Sequence, residues 1–149
     1  MNFLVATDGS PEADDALAYA TDISDAMGGT ITVVHAVDPA VYDTGRSEPI
    51  AGLGDADRSL IIENVEDAEN RGLEILEDAA DLAAELGHEV ETELVYGDPV
   101  PAITDYANER GFDALFVGHR GRSARADMML GSVATAIVER ATLPVTVVR

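Results

Sequence analysis

A chain of 149 residues with 46% apolar content is long enough to bury one sizeable core, and its length suits one domain. Its formal charge of −20, from 29 acidic against nine basic residues, argues against general binding to nucleic acid or to an anionic membrane surface. No apolar run approaches the ~18 residues of a membrane span, and the lack of cysteine removes disulfides, thiolate metal sites and a cysteine nucleophile.

All nine basic residues are arginine. So acidic a chain without lysine points to a protein adapted to a very salty cytoplasm. At molar salt the Debye length is only about 3 Å, which screens the self-repulsion. The plainer reading is an acidic protein of ordinary salt; the missing lysine favours the halophile. The start of the chain lacks a basic stretch followed by an apolar one, so the cytoplasm is the expected location.

In chain order, the apolar run from Phe3 to Ala6 reads as a first strand, closed by Thr7-Asp8-Gly9-Ser10-Pro11. Ser10 as N-cap and Pro11 in the first turn open a helix. Its apolar side is Ala13, Ala16, Leu17, Ala20 and Ile23, and Gly28-Gly29 stops it. Thr30 to Val37 form strand two. Residues 38–58 read as a long loop, rich in Gly and Pro, of the kind that is functional or disordered in compact domains. A helix over about 59–86 follows, with Leu73, Leu76, Ala80 and Ala83 as its core side. Val90 to Tyr96 make strand three. Asp98 caps a shorter helix ending at Gly111. Strand four covers about 113–117, a last helix about 130–141, and Pro144 to Val148 strand five.

The alternation predicts a three-layer open α/β sheet over residues 1–149. Strands one, four and five read apolar on both faces, as parallel strands covered by helices do. A ligand then belongs outside the carboxyl ends of the strands, at the topological switch. That brings together the turn at 7–10, the end of strand two at Val37-Asp38, and the loop Gly118-His119-Arg120-Gly121.

This last loop carries the strongest signal. Strand four ends in Gly118 and Gly121, and nine residues later Gly131-Ser132 opens a helix. Spaced glycines before a helix start let the backbone approach an anion, with free N–H groups aimed at it. From position 119 onward five arginines face only Asp127 and Glu139, which leaves −23 on the first 118 residues. Arg120, Arg122 and Arg125 sit on the loop itself. The plainer readings are a tight turn without a ligand, and a solvated charge cluster. For Asp8 the plainer role is to hydrogen-bond the turn, although Ser10 already serves as the cap.

The chain resembles the universal stress protein family over its whole length. The resemblance rests on Val5-Ala6-Thr7-Asp8-Gly9-Ser10 with its Ala-rich helix, on His35-Ala36-Val37, on Gly97-Asp98-Pro99, and above all on Gly118-x2-Gly121-x9-Gly131-Ser132. The resemblance implies the G-x2-G-x9-G-[ST] branch that binds ATP, and a five-stranded parallel sheet of order 3-2-1-4-5, Rossmann-like and similar to the adenine nucleotide alpha hydrolases. It implies that Ala6, Thr7 and Asp8 lie at the adenosine end, that Val37 offers backbone contacts to adenine, and that Gly118, His119, Arg120, Gly121, Arg122, Gly131, Ser132 and Val133 hold ribose and phosphates. The family often has Ser or Thr where His119 stands. A homodimer through the C-terminal strand is implied as well, since that strand leaves an edge to cover.

Dedicated catalysis has little support. There is no G-x-S-x-G elbow, no Walker lysine and no receiver-domain lysine. A flavodoxin would carry its phosphate loop after strand one, and Asp8-Gly9-Ser10-Pro11 is a poor one. His35, His88 and His119 lack metal-ligand spacing, and Mg²⁺ enters only as a counterion of phosphate. The expectation is an ATP-dependent switch whose ligand closes residues 119–130 and orders 38–58. The alternatives are a slow ATPase or adenylate-handling enzyme on the same site, and a nucleotide-free dimeric interaction module.

Overall fold

The computed structural model describes residues 1–38, 55–120 and 131–149, with only the helical backbone at 55–64. Among the described residues nine elements alternate: β1 (Asn2–Ala6), α1 (Pro11–Met27), β2 (Thr30–Val37), α2 (Asp55–Glu85), β3 (Glu91–Tyr96), α3 (Pro99–Glu109), β4 (Ala114–Gly118), α4 (Ser132–Arg140) and β5 (Val145–Val148). The strands form one parallel sheet in the expected order β3-β2-β1-β4-β5. β1 lies at the centre, with Ala6 opposite Val34 of β2 and Val5 opposite Phe116 of β4.

Strand alternation divides the core into two layers. Phe3 and Val5 turn to one face with Val33 and Phe116, where Ala16 and Leu17 of α1 and Leu76 and Ala83 of α2 cover them. Leu4 turns to the other with Val34, Leu115 and Val117, under Ile103 and Ala107 of α3 and Ala134 and Ile137 of α4. Phe3 and Phe116 meet edge to face at 5.6 Å, a favoured aromatic geometry. Each fully buried side chain of this size contributes about 1.5–3 kcal/mol.

Local chemistry sets the helix ends. Ser10 Oγ accepts a hydrogen bond from Ala13 N at 3.2 Å, Pro11 occupies the first turn, and Gly28 ends α1 in a left-handed conformation. Asp98 Oδ1 accepts from Val100 N to start α3.

Three expectations need correction. α2 starts at Asp55, so the stretch read as loop over 38–58 ends earlier; residues 39–54 lie outside the described ones. Its core side is also displaced. Leu73 is 54% exposed, and Ala80 is only half-buried. Leu76 and Ala83 are buried as expected, and Ala68, Gly72 and Ala79 are buried with them. Gly72 explains the phase. A Cβ there would come within 2.9 Å of Leu94 Cδ1 and 3.0 Å of His35 Cδ2. The helix turns its smallest residue inward to sit close on β2 and β3. The last helix likewise spans Ser132–Arg140, shorter than the expected 130–141.

Candidate functional site

The sheet order reverses direction between β1 and β4, and a cavity of about 280 Å³ opens at their carboxyl ends. Three pieces of chain build it. The first is the turn after β1. Thr7 N donates to Val34 O at 2.9 Å, extending the ladder one residue beyond the strand. Thr7 Oγ1 then accepts from Gly9 N, and Asp8 Oδ1 accepts from Ser10 N at 3.0 Å. These two bonds fix a tight turn that delivers the chain into α1. Asp8 therefore holds the turn and also lines the cavity.

The second piece is the end of β4. His119 N donates to Val148 O, and Gly131 N donates to His119 O at 2.6 Å, which brings the start of α4 back against the strand end. Gly118 is required by close approach. A Cβ there would meet the Glu12 carbonyl carbon and oxygen at 2.8 Å, in the first turn of α1. Gly118 and Arg120 line the cavity.

The third piece is α4. Gly131 is its N-cap, so no side chain caps it. Its first intrahelical bond is Thr135 N to Gly131 O at 3.0 Å. The amides of Ser132, Val133 and Ala134 precede that bond and have no intrahelical acceptor. All three residues line the cavity. A helix start of this form presents N–H donors and the positive end of its dipole.

Sequence-expected residues thus divide. Ala6, Thr7, Asp8, Gly118, Arg120, Gly131, Ser132 and Val133 share the cavity wall. His119 contributes backbone hydrogen bonds and is absent from that wall. Val37 lines a second cavity of about 380 Å³, next to the first, with Asp38 and with Arg71, Glu74 and Asp78 of α2. Gly121, Arg122 and Arg125 lie outside the described residues.

The universal stress protein family model matches residues 1–149. The chain belongs to the universal stress protein family. Universal stress protein YxiE of Bacillus subtilis is 34% identical over 146 residues, covering 98% of this chain and 97% of that protein. Among solved structures, a universal stress protein in complex with cAMP is 28% identical with a TM-score of 0.69, covering 100% of this chain and 97% of the other. The universal stress protein from Archaeoglobus fulgidus in complex with dAMP is 26% identical with a TM-score of 0.67, covering 100% and 98%.

In this universal stress protein, residues that sequence reasoning did not assign to the site also border the cavities. His35, Ala36 and Pro99 border both cavities, and Ile103 and Ile137 form the apolar side of the first. His35 was visible in the strand-two match. Its position opposite the β1 turn, where its Nδ1 reaches the Thr7 carbonyl at 2.8 Å, needed the β1–β2 register. In the first turn of α1, Asp14 has its pKa raised above the usual 3.8, first by partial burial, then by Asp15, Asp78 and Asp8. Among the described residues no group of three or more His, Asp or Glu is placed to hold a metal ion, and no helix is long and apolar enough to cross a membrane.

Proposed function

We propose that this protein binds ATP in the crevice between β1 and β4 and acts by occupancy as a nucleotide-dependent switch in the stress response. The observation that carries the reading is the uncapped start of α4. Ser132, Val133 and Ala134, whose amides precede the first intrahelical bond, line the cavity together with Gly118, Arg120 and Asp8. An anionic group suits the amide end, and a ribose hydroxyl suits the carboxylate. These residues fit a triphosphate nucleotide: α4 and the glycine loop, with Gly121 and Arg122, would hold the phosphates. Asp8 and Thr7 would hold the ribose, and Ala36 and Val37 the base side. Mg²⁺ would serve as counterion of the phosphates. The complexes of relatives with cAMP and dAMP support an adenine ligand.

Two further parts of the reading concern the whole protein. Pairing of two copies through β5 is supported by its position at the sheet edge, with β4 as its neighbour on one side. A cytoplasm of high salt is supported by the charge of −20 and the absence of lysine.

The test is to purify the protein in molar salt, denature it, identify any nucleotide released, and titrate the emptied protein with ATP by calorimetry. ATP should bind, and phosphate release under saturating Mg-ATP should be negligible. Gly131→Val should abolish binding with the circular dichroism unchanged, because a branched side chain at the N-cap obstructs the approach to the α4 amides. Binding by the variant equal to the parent's would refute the site. Steady phosphate release at turnover rates would replace the switch with an ATPase.

A further inference from the structure

The start of α4 lines the cavity, and bonds at both ends of the helix decide where that start lies. At the near end Gly131 N donates to His119 O at 2.6 Å. At the far end Arg140, in the last turn of α4, reaches across to α3. Its Nε donates to Thr104 Oγ1 at 3.0 Å, and its Nη2 donates to Asp105 Oδ1 at 3.4 Å. Just beyond the helix, Thr142 Oγ1 donates to Asn108 Oδ1 at 2.7 Å.

Thr104 makes this grip directional. It is only 1% exposed. Its hydroxyl has one hydrogen, shared between the carbonyls of Val100 at 2.8 Å and Pro101 at 3.4 Å. Toward Arg140 it can only accept. The Nε–H lies in the guanidinium plane, so accepting from it fixes the plane as well as the distance. The Asp105 arm is half-exposed, and such a pair alone stabilises little. The buried arm is the one that holds the helix.

The grip joins the two helices of the cavity wall. α3 contributes Pro99 and Ile103 to that wall, and α4 contributes its first three residues and Ile137. Nine residues of helix span about 13.5 Å. A tilt of about 5° at Arg140 therefore moves the start of α4 by about 1 Å. Hydrogen bonds to an anion weaken over such a distance.

We propose that Arg140 is a positioning residue of the nucleotide site: its hold on Thr104 and Asp105 of α3 sets the tilt at which α4 offers its first amides to phosphate. This deepens the nucleotide reading above and rests on it. The side chain acts from the end of α4 opposite the cavity, through the helix it anchors.

The probes are ATP and adenosine, which lacks phosphate, titrated by calorimetry in molar salt at pH 7. Arg140→Met keeps the apolar stem and removes the donors. Thr104→Val keeps the buried shape and removes the acceptor. Each should weaken ATP about tenfold, the loss of roughly one hydrogen bond, and leave adenosine nearly unchanged. Thr104→Ser, which returns the acceptor oxygen, should bring the ratio of the two affinities back to the parent's. A grip that merely stabilised the fold would leave that ratio untouched in every variant. NMR of the parent reads the linkage from the other end. If the grip favours the tilt that binds phosphate, ATP in turn favours the grip. The Arg140 Nε–H should exchange with solvent more slowly when ATP is bound, and at an unchanged rate with adenosine. This decides the matter even if the variants fail to fold. Equal losses for both ligands, no loss of ATP affinity in folded Arg140→Met, or an Nε–H whose exchange ignores ATP would each overturn the positioning role and leave the nucleotide site standing. A parent that binds neither ligand overturns the nucleotide reading, and the positioning role with it.

Discussion

Gly118 shows how one residue couples packing to the site. It ends β4, lines the cavity and lies against the first turn of α1. Backbone, not a flexible side-chain tip, occupies the space a Cβ would need, so α1 must move to admit one. Gly118→Ala should therefore destabilise the protein by about 1–3 kcal/mol, the usual range for overpacking. It should also weaken nucleotide binding, since the displaced first turn of α1 follows directly on the turn that carries Asp8. Chemical denaturation and calorimetry on the same preparation check both. A variant of parental stability would show that the first turn yields freely. The cavity wall formed by Asp8, Gly118 and Gly131 was legible because turn residues and spaced glycines at strand ends are local signals. The wall formed by His35, Pro99 and Ile103 was not. Nothing local marks a strand histidine or a mid-helix isoleucine as bordering a cavity; that depends on which strands become neighbours.

At the scale of elements, each strand serves two cores, so a single substitution tests one layer. Leu115 of β4 is fully buried among Leu4, Val34, Ile103 and Ile137. Leu115→Ala should cost about 2–5 kcal/mol by transfer and cavity terms together. Denaturant unfolding measures it, with the midpoint falling at constant slope. A loss below ~1 kcal/mol would mean that α3 and α4 close over the gap. Helix starts were legible because Ser10-Pro11 and Asp98-Pro99 announce themselves chemically, and both caps form. The core side of α2 was legible only in part, at Leu76 and Ala83. Apolar periodicity weights Leu73 and is blind to Gly72, yet the helix buries the glycine because close approach to β2 and β3 requires a missing side chain. Small residues on a packed face carry no hydrophobic signal, and here they decide the rotation.

On the scale of the whole molecule the governing quantity is charge. A net −20 on 149 residues stores self-repulsion that expansion would relieve. At ~1 M salt the screening length is about 3 Å, and only touching charges interact; at ~0.01 M it is about 30 Å, comparable to the domain itself. Asp14 reports the local effect: Asp15, Asp78 and Asp8 add to partial burial in opposing its ionisation. Its folded pKa is raised, so the folded state binds the proton more tightly than the unfolded one. Stability from that group is greatest below the ordinary value of 3.8 and is lost as pH rises through the folded value. Near neutral pH the charged carboxylate works against the fold. Two outcomes follow from the same cause. The thermal midpoint should fall as salt is diluted from molar to tens of millimolar at pH 7. In the dilute buffer it should then recover partly as pH is lowered from 7 toward the aspartate range. Asp14→Asn should raise the low-salt midpoint, with a gain that shrinks in molar salt and again as pH falls. Differential scanning fluorimetry across a grid of salt and pH measures all of this. A midpoint that holds level or rises on dilution would show that close pairs such as Arg140 with Asp105, at 3.4 Å, outweigh the long-range repulsion. It would also remove the physical ground for a high-salt home.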